Sequence, residues 1–270
     1  MARALCLTVV WLLSAVLCGS AQAATATLVS IPTPRGAKVS FILIKPDKPV
    51  AAVILFAGGH GGLGLKSAST MTWGAGNFLV RTRDAFAAQG LMVAVIDAPS
   101  DQKGGMNAIF RMSGAHAQDI DAVAGYLKKQ AAVPVWLVGT SMGTFSAAGG
   151  AIGAKSVDGL VLSSTITRAK PQWKIAGSHP NGVASMALPQ VTVPTLVLSH
   201  KKDGCDITPA ADAPKLINRL TAARKKETTL LDGGSPPISE PCEAKSQHGF
   251  LGIEGQAVSA IADFVKQNAK

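Results

Sequence analysis

The chain has 270 residues, of which 47% are hydrophobic and only 5% aromatic, and its formal net charge is +10. This length suits one α/β domain with a substantial core, and the composition excludes disordered and fibrous proteins. The basic residues form short scattered clusters typical of helix ends and surface turns, without a basic stripe interleaved with aromatics, so we expect no nucleic-acid partner.

The N-terminus has the pattern of a secretory signal peptide. Arg3 precedes an apolar stretch over about residues 4–18, and Ala21-Gln22-Ala23 supplies a small-residue cleavage site. The apolar stretch is shorter than the roughly 20 residues that span a bilayer. We therefore predict a signal peptide over 1–23, cleaved after Ala23, and a single domain over 24–270. The mature protein would be periplasmic or secreted, without stable membrane insertion. A lipoprotein site at Cys18 is the alternative, disfavoured by the bulky Leu17 before it.

Cysteine usage fits an exported protein. After cleavage only Cys205 and Cys242 remain, an even pair that an oxidising compartment would join. Such a bridge is worth about 4 kcal/mol in the chain-entropy model. Two unpaired buried thiols are the alternative. The cysteines lack zinc spacing and there is no His-Glu-x-x-His motif, so we predict no metal site.

Strands and helices alternate along the chain. Apolar runs predict strands at 25–31, Lys38–Ile44, Ala51–Phe56, Leu91–Ile96, 133–138, 159–163, 195–199 and 228–231. Helical patterns cover 77–89, 113–130, the stretch after Gly143 to about Ile152, a helix opening at Thr208-Pro209, and 256–266. This alternation predicts a mostly parallel sheet with helices on both faces and an antiparallel N-terminal hairpin at one edge. The irregular segment 168–194 is long enough for a small lid.

A Gly-x-Ser-x-Gly motif stands where a buried strand ends. In Gly139-Thr140-Ser141-Met142-Gly143 the serine lies between a strand and a helix, the context of a nucleophile elbow. Small residues at two positions on either side let the turn tighten and expose the hydroxyl. We predict that Ser141 is a nucleophile, which requires a base and an orienting acid.

From Ala51 onward, the chain resembles the α/β-hydrolase superfamily, in particular exported serine hydrolases of the dienelactone-hydrolase and prolyl-oligopeptidase type. The family order is serine, then acid, then histidine. The resemblance implies His248, before the last helix, as the base. The turn His200-Lys201-Lys202-Asp203 resembles the family's acid turn and implies Asp203 as the acid, with Asp206 as the alternative.

Oxyanion donors are implied by the same resemblance. The amide of Met142, after the nucleophile, is one donor. The segment from Ala57 to Gly62 resembles the family's glycine-rich loop but has alanine where histidine is usual. We take Gly59 as the second donor, with His60 next. A Cys205–Cys242 bridge would tie the acid loop to the loop that carries His248.

The glycine-rich segment also fits nucleotide-binding patterns. Residues 59–64 match G-x-G-x-x-G after a strand, but no acidic residue follows at the expected spacing, and Asp97 lies too far along. A phosphate-binding loop is broken by Leu65.

We therefore expect an esterase-like serine hydrolase that acts on a small-molecule ester or related acyl substrate through an acyl-enzyme, without a cofactor. The alternatives are a prolyl-oligopeptidase-like peptidase on the same fold, and a non-catalytic or dinucleotide-binding protein.

Overall fold

The computed structural model describes residues 24–269, so the signal peptide predicted for 1–23 lies outside the described residues. Eight strands form one sheet: β1 (Ala26–Pro32), β2 (Lys38–Ile44), β3 (Ala51–Phe56), β4 (Leu91–Ile96), β5 (Val135–Ser141), β6 (Gly159–Thr165), β7 (Thr195–His200) and β8 (Lys226–Leu231). No helix within 24–269 is long and apolar enough to cross a membrane.

The strand order is β1-β2-β4-β3-β5-β6-β7-β8. The hairpin β1–β2 is antiparallel and joins β4 in antiparallel fashion, whereas all pairs from β4 to β8 are parallel. Strands β3, β4 and β6 are buried along their whole length, as expected for a sheet covered on both faces. The carboxyl ends of the parallel strands therefore meet at one edge, where β5 ends in Ser141.

Within residues 24–269, seven helices cover the sheet: α1 (Phe78–Arg81), α2 (Arg83–Ala88), α3 (Ala108–Arg111), α4 (Gly114–Gln130), α5 (Gly143–Gly153), α6 (Ala213–Arg219) and α7 (Glu254–Asn268). The core has two halves. Apolar residues of α4, α5 and α6 pack on one face, and those of α1, α2 and α7 on the other. This layering confirms the predicted fold class.

The eight predicted strands are all present, but two helix predictions are wrong in detail. The predicted helix 77–89 is interrupted at Thr82, whose hydroxyl donates to the Phe78 carbonyl, so α1 and α2 are separate. No helix opens at Thr208-Pro209. A 3-10 turn occupies Ala210–Asp212 and α6 begins at Ala213, because the Thr208 hydroxyl bonds Asp203 instead of capping a helix.

The irregular segment 168–194 contains only two 3-10 turns, Gly182–Ser185 and Leu188–Gln190. Its apolar residues, including Val183 and Leu188, are buried in the core half that contains α5. None of its residues lines the cavity that contains Ser141. The segment therefore covers the core, and its residues 172–175 line a separate cavity beside Met142.

His116, on α4, is a fully buried histidine between Phe56 and Phe110. Neither ring nitrogen hydrogen-bonds to any residue in 24–269. Burial, and to a smaller extent the nearby positive charges of Arg111 and Arg35, lower the pKa of His116 to about 3. The ring is therefore neutral in the folded protein at pH values where it is protonated in the unfolded chain.

Acid should destabilise the fold through this ring. Between pH 6.5 and about 3 the unfolded chain binds a proton that the native state does not, so stability falls as pH falls. Replacing His116→Leu should remove about 3 kcal/mol of the stability lost between pH 7 and pH 4.5. Urea titrations at both pH values measure this. The control His179→Leu, at a half-exposed histidine, should retain the parent's pH dependence, and an equally acid-sensitive His116→Leu protein would refute the assignment.

Candidate active site

Ser141 occupies a strained turn at the carboxyl end of β5. Its φ is +52°, in the left-handed region that non-glycine residues rarely adopt, and the β5–β6 register shifts between Thr140 and Ser141. Helix α5 begins two residues later, at Gly143. Strain of this kind persists only where the surroundings enforce it, and it concentrates at functional sites.

Close packing explains the two glycines of the motif. A Cβ on Gly139 would lie 2.5 Å from the Gly143 carbonyl oxygen. A Cβ on Gly143 would overlap the carbonyl oxygen of Phe56, at the end of β3. The Thr144 hydroxyl donates to the Ser141 carbonyl at 2.5 Å and fixes the turn from the helix side. The turn is therefore enforced by backbone contact that larger residues would prevent.

His248 and Asp203 form a buried pair. Nδ1 of His248 lies 3.0 Å from Oδ2 of Asp203, and their side chains are 5% and 0% exposed. The other carboxylate oxygen accepts from the Cys205 amide at 3.0 Å. A carboxylate has no proton to donate, so Nδ1 must carry the hydrogen, which leaves the lone pair of a neutral ring on Nε2.

Thr208 is a third member of this arrangement that sequence reasoning missed. Its hydroxyl lies 3.0 Å from Asp203 Oδ2 and 3.1 Å from His248 Nδ1. The hydroxyl donates to the carboxylate and fixes the oxygen that faces the imidazole. The sequence did not predict this contact, because Thr208 is followed by Pro209 and a Thr-Pro pair is typical of a helix start.

The backbone around His248 is held by three other contacts. The Ser164 hydroxyl donates to the His248 carbonyl at 2.8 Å, and the Ser246 hydroxyl accepts from the His248 amide at 3.2 Å. Arg81 donates to the carbonyl of Gly249 at 2.6 Å. The loop that carries the imidazole is therefore fastened to β6 and to α1.

Ser141 and His248 line the same cavity, which has a volume of about 400 Å³. The remaining wall residues are Gly58, Gly59, Trp73, Gly74, Gly76, Asn77, Phe78, Thr140, Cys242, Glu243, Ala244 and Gly249. Nε2 of His248 is buried and hydrogen-bonds to no residue in 24–269, so it does not contact the Ser141 hydroxyl here. Such hydrogen bonds are often long in substrate-free enzymes and shorten when substrate binds.

The glycine-rich segment forms another wall of this cavity. Gly58 and Gly59 line it, whereas the exposed His60 does not and stacks on Trp73 with ring centroids 3.9 Å apart. A Cβ on Gly58 would lie 3.0 Å from the Ser141 Cβ, so this backbone passes close to the serine. Gly59 has a φ of +55° and faces Trp73. Of the two candidates for the second oxyanion donor, Gly59 therefore lines the cavity and His60 does not, while Met142, the first donor, lines a neighbouring cavity.

Asp97, at the end of β4, anchors the same segment. Its carboxylate accepts from the amides of Leu63, Gly64 and Leu65 at 2.6, 3.2 and 2.9 Å. The first helix after the segment begins only at Phe78. A dinucleotide- or phosphate-binding loop would instead open directly into a helix. The segment lacks that arrangement.

Cys205 and Cys242 form a disulfide that joins the two loops of the pair. Cys205 belongs to the turn that carries Asp203, and Cys242 lines the cavity. Asp206 is exposed and faces Cys242 Sγ at 3.6 Å rather than the imidazole, so the carboxylate beside His248 is that of Asp203. Cys205, Asp206 and Cys242 are also the one possible metal-ligand group within 24–269. The bridged sulfurs are not thiolates and cannot serve there as ligands.

No protein-family model matches the chain, and no curated protein matches its sequence. Solved structures do match. An esterase from Pyrococcus furiosus superposes with a TM-score of 0.62 at 15% identity, covering 90% of this chain and 93% of the other. Dienelactone hydrolase from Anabaena variabilis gives 0.61 at 14% identity, covering 92% of this chain and 100% of the other. This protein has the α/β-hydrolase fold.

A puromycin-hydrolysing peptidase from Mycobacterium tuberculosis also shares this α/β-hydrolase fold, with a TM-score of 0.64 at 14% identity. The match covers 94% of this chain but only 41% of the peptidase. At these identities the comparisons establish the fold alone, so the chemistry of the site is argued from its own residues.

Removing the disulfide should destabilise the α/β-hydrolase domain. The bridge closes a loop over a sequence separation of 37, which corresponds to about 4 kcal/mol in the chain-entropy model. We expect Cys205→Ala/Cys242→Ala to lose roughly that much unfolding free energy in urea titrations. Dithiothreitol should destabilise the parent similarly and leave the double variant unchanged. A loss below about 1 kcal/mol would contradict this role.

Proposed function

We propose that this protein is a serine hydrolase that cleaves an ester or related acyl bond. The observation that carries the proposal is the cavity shared by a strained serine and a buried histidine. Ser141 lies at positive φ after β5, and His248 has its Nδ1 on Asp203 and its Nε2 without a protein partner in 24–269. A nucleophile beside a carboxylate-oriented base is the arrangement that acyl transfer requires.

In the proposed acylation step, His248 Nε2 takes the proton of the Ser141 hydroxyl as Oγ attacks the substrate carbonyl carbon. The carbonyl π electrons move to oxygen, and the amides of Met142 and Gly59 bind that oxyanion. Asp203 stabilises the imidazolium. The oxyanion then collapses, the bond to the leaving oxygen breaks, and His248 gives its proton to the leaving alcohol.

Deacylation repeats these roles with water. His248 removes a proton from the water as its oxygen attacks the acyl carbon, and then returns the proton to Ser141 Oγ as the acid leaves. Every proton and electron pair is supplied by substrate, water or these side chains, so the step needs no cofactor. Met142 suits its role because the first N–H groups of a helix lack intrahelical partners.

A small ester is the proposed substrate class. The aromatic side chains of Trp73 and Phe78 give the cavity an apolar wall, and Glu243 lies on its rim. No residue of 168–194 lines it. The esterase and dienelactone-hydrolase neighbours support this class, whereas the peptidase neighbour favours an amide-cleaving alternative on the same machinery. A panel of short esters and aminoacyl amides separates the two.

Export is part of the proposal. The predicted signal peptide over 1–23 and the disulfide between Cys205 and Cys242 both suit a periplasmic or secreted protein. Fractionation of cells that express the full chain, with N-terminal sequencing of the product, tests this and the expected cleavage after Ala23.

Ser141→Ala should abolish hydrolysis. We expect kcat/KM on short p-nitrophenyl esters to fall by at least about 10⁴-fold, because the nucleophile itself is removed. The control Ser69→Ala, at an exposed serine, should match the parent. A fluorophosphonate probe should label the parent and not Ser141→Ala. A protein that hydrolyses esters equally well without Ser141 would exclude this mechanism and leave a non-catalytic role for the serine.

Two neighbouring carboxylates provide a matched test of the acid. Asp203→Asn should lower kcat by about 10⁴-fold, because the amide can hold the imidazole in the wrong tautomer and cannot stabilise its cation. Asp206→Asn should change kcat by less than about threefold, since Asp206 is exposed and does not contact His248. Steady-state kinetics on the same esters measure both. The reverse ranking would transfer the role to Asp206.

A further inference from the structure

Arg111, at the end of α3, is a buried cation without a carboxylate partner in 24–269. Its side chain is 1% exposed. All of its contacts are to neutral oxygens: Nε donates to the Met106 carbonyl at 3.2 Å and Nη1 to the Ser146 hydroxyl at 2.8 Å. Nη2 donates to the carbonyls of Ala57 and Gly59 at 3.4 and 3.2 Å.

Burying such a charge is unfavourable. Burial lowers the pKa of Arg111 to about 9, so the guanidinium remains protonated at neutral pH despite its desolvation. Packing alone would be served better by an apolar side chain of similar volume. The cation therefore needs an explanation other than filling space.

The contacts of Arg111 join two particular segments. At one end, it holds the carbonyls on either side of Gly58, in the loop after β3. At the other end it holds Ser146, in the first turns of α5, the helix that follows Met142. These two segments carry the two amides that the proposed mechanism assigns to the oxyanion. No other side chain in 24–269 hydrogen-bonds to both.

Because peptide groups are planar, these contacts to carbonyl oxygens also orient the neighbouring backbone amides. In a trans peptide the N–H lies opposite the carbonyl of the preceding residue, so fixing a carbonyl fixes the next amide. Holding the Ala57 carbonyl fixes the amide of Gly58, and holding the Gly59 carbonyl fixes the amide of His60. The Gly59 amide belongs to the peptide between these two, so Arg111 restrains it from both ends without holding it directly. The guanidinium also fills the space of a side chain at Gly61, since a Cβ there would overlap Nη2. A residue larger than glycine at position 61 would therefore push the loop away from Arg111.

We propose that Arg111 is a positioning residue for the oxyanion site, tying the Ala57–Gly59 backbone to Ser146 so that the Gly59 and Met142 amides converge on one oxygen. This inference rests on the proposed hydrolase function and specifies what assembles its oxyanion-binding groups. Oxyanion stabilisation requires donors placed before the reaction, and a loss of alignment affects the transition state more than substrate binding.

The decisive variant is Arg111→Lys, which keeps the charge but cannot donate to both segments at once. On short p-nitrophenyl esters we expect kcat to fall about 10- to 100-fold with KM changed less than about threefold. The inhibition constant of an alkylboronic acid, which forms a tetrahedral adduct on serine, should rise by a similar factor. Amide hydrogen exchange in the segment 58–65 should be faster than in the parent.

Arg35→Lys is the matched control. Arg35 is another largely buried guanidinium, but it pairs with Asp101 and Asp119 and does not touch the glycine-rich loop. It should destabilise the protein without altering kcat or boronate inhibition. Ser146→Ala is the milder variant if Arg111→Lys does not fold. Because Ser146→Ala removes only the hydrogen bond between Arg111 and α5, it should lower kcat about 3- to 10-fold and raise the boronate inhibition constant by a similar factor.

Several outcomes would overturn the inference. One is an active Arg111→Lys enzyme, or an active Ser146→Ala enzyme, with kcat and boronate inhibition within twofold of the parent. Another is an equal loss of kcat in Arg35→Lys, which would indicate general destabilisation. Unchanged exchange at 58–65 in Arg111→Lys also refutes positioning. A parent that hydrolyses no ester and resists the fluorophosphonate refutes the proposed function instead, and the exchange result then decides the loop contact separately.

Discussion

The close contact between the ends of β3 and β5 is the constraint on which the site depends. Gly143 packs its Cα against the Phe56 carbonyl, and this approach forces the chain after β5 to turn within two residues. Ser141 leaves the strand through the left-handed region, at φ +52°. The parallel pairing of β3 with β5, from Ala52–Val135 to Phe56–Gly139, holds the two strands together up to this contact. The strain at the serine is thus maintained by the sheet beneath it.

Three loops meet above that turn, and each is fastened by a different kind of interaction. Asp97 binds successive amides of the glycine-rich segment, the disulfide joins the Asp203 turn to the chain before His248, and Ser164 holds the His248 carbonyl from β6. Asp97 directly follows β4, Ser164 lies in the last residues of β6, and Cys205 is buried. Because loops on a rigid sheet place side chains accurately only when they are tied down, these anchors hold the paired imidazole and carboxylate beside the cavity that Ser141 lines.

Much of the fold followed from hydrophobic pattern alone. The continuous apolar runs at β3, β4 and β5 predicted buried parallel strands. The end of the third run placed the Gly-x-Ser-x-Gly motif at the carboxyl end of a strand. Failures arose where one side chain had two local options. The sequence predicts that Thr208 caps a helix, but its hydroxyl donates to Asp203. It predicts that Thr82 lies inside a helix, but its hydroxyl donates to the Phe78 carbonyl and the helix ends there. In both cases a hydrogen-bond partner in the folded structure determines what the threonine does, and the sequence spacing does not reveal that partner.

The burial of Arg111 and His116 could not be predicted from the sequence for a related reason. A basic residue near a helix end is normally exposed to solvent. Here both side chains are buried close together, and only one of them can be charged. The guanidinium keeps its proton at neutral pH because its pKa, although burial lowers it to about 9, is still above 7, whereas the imidazole has a pKa of about 3 and is uncharged. The neutral ring packs between Phe56 and Phe110, so α4 is held against β3 apolarly while the adjacent cation contacts the loop that follows β3. The core behind the site thus contains a neutral imidazole beside a guanidinium cation, and the cation contacts the glycine-rich loop after β3.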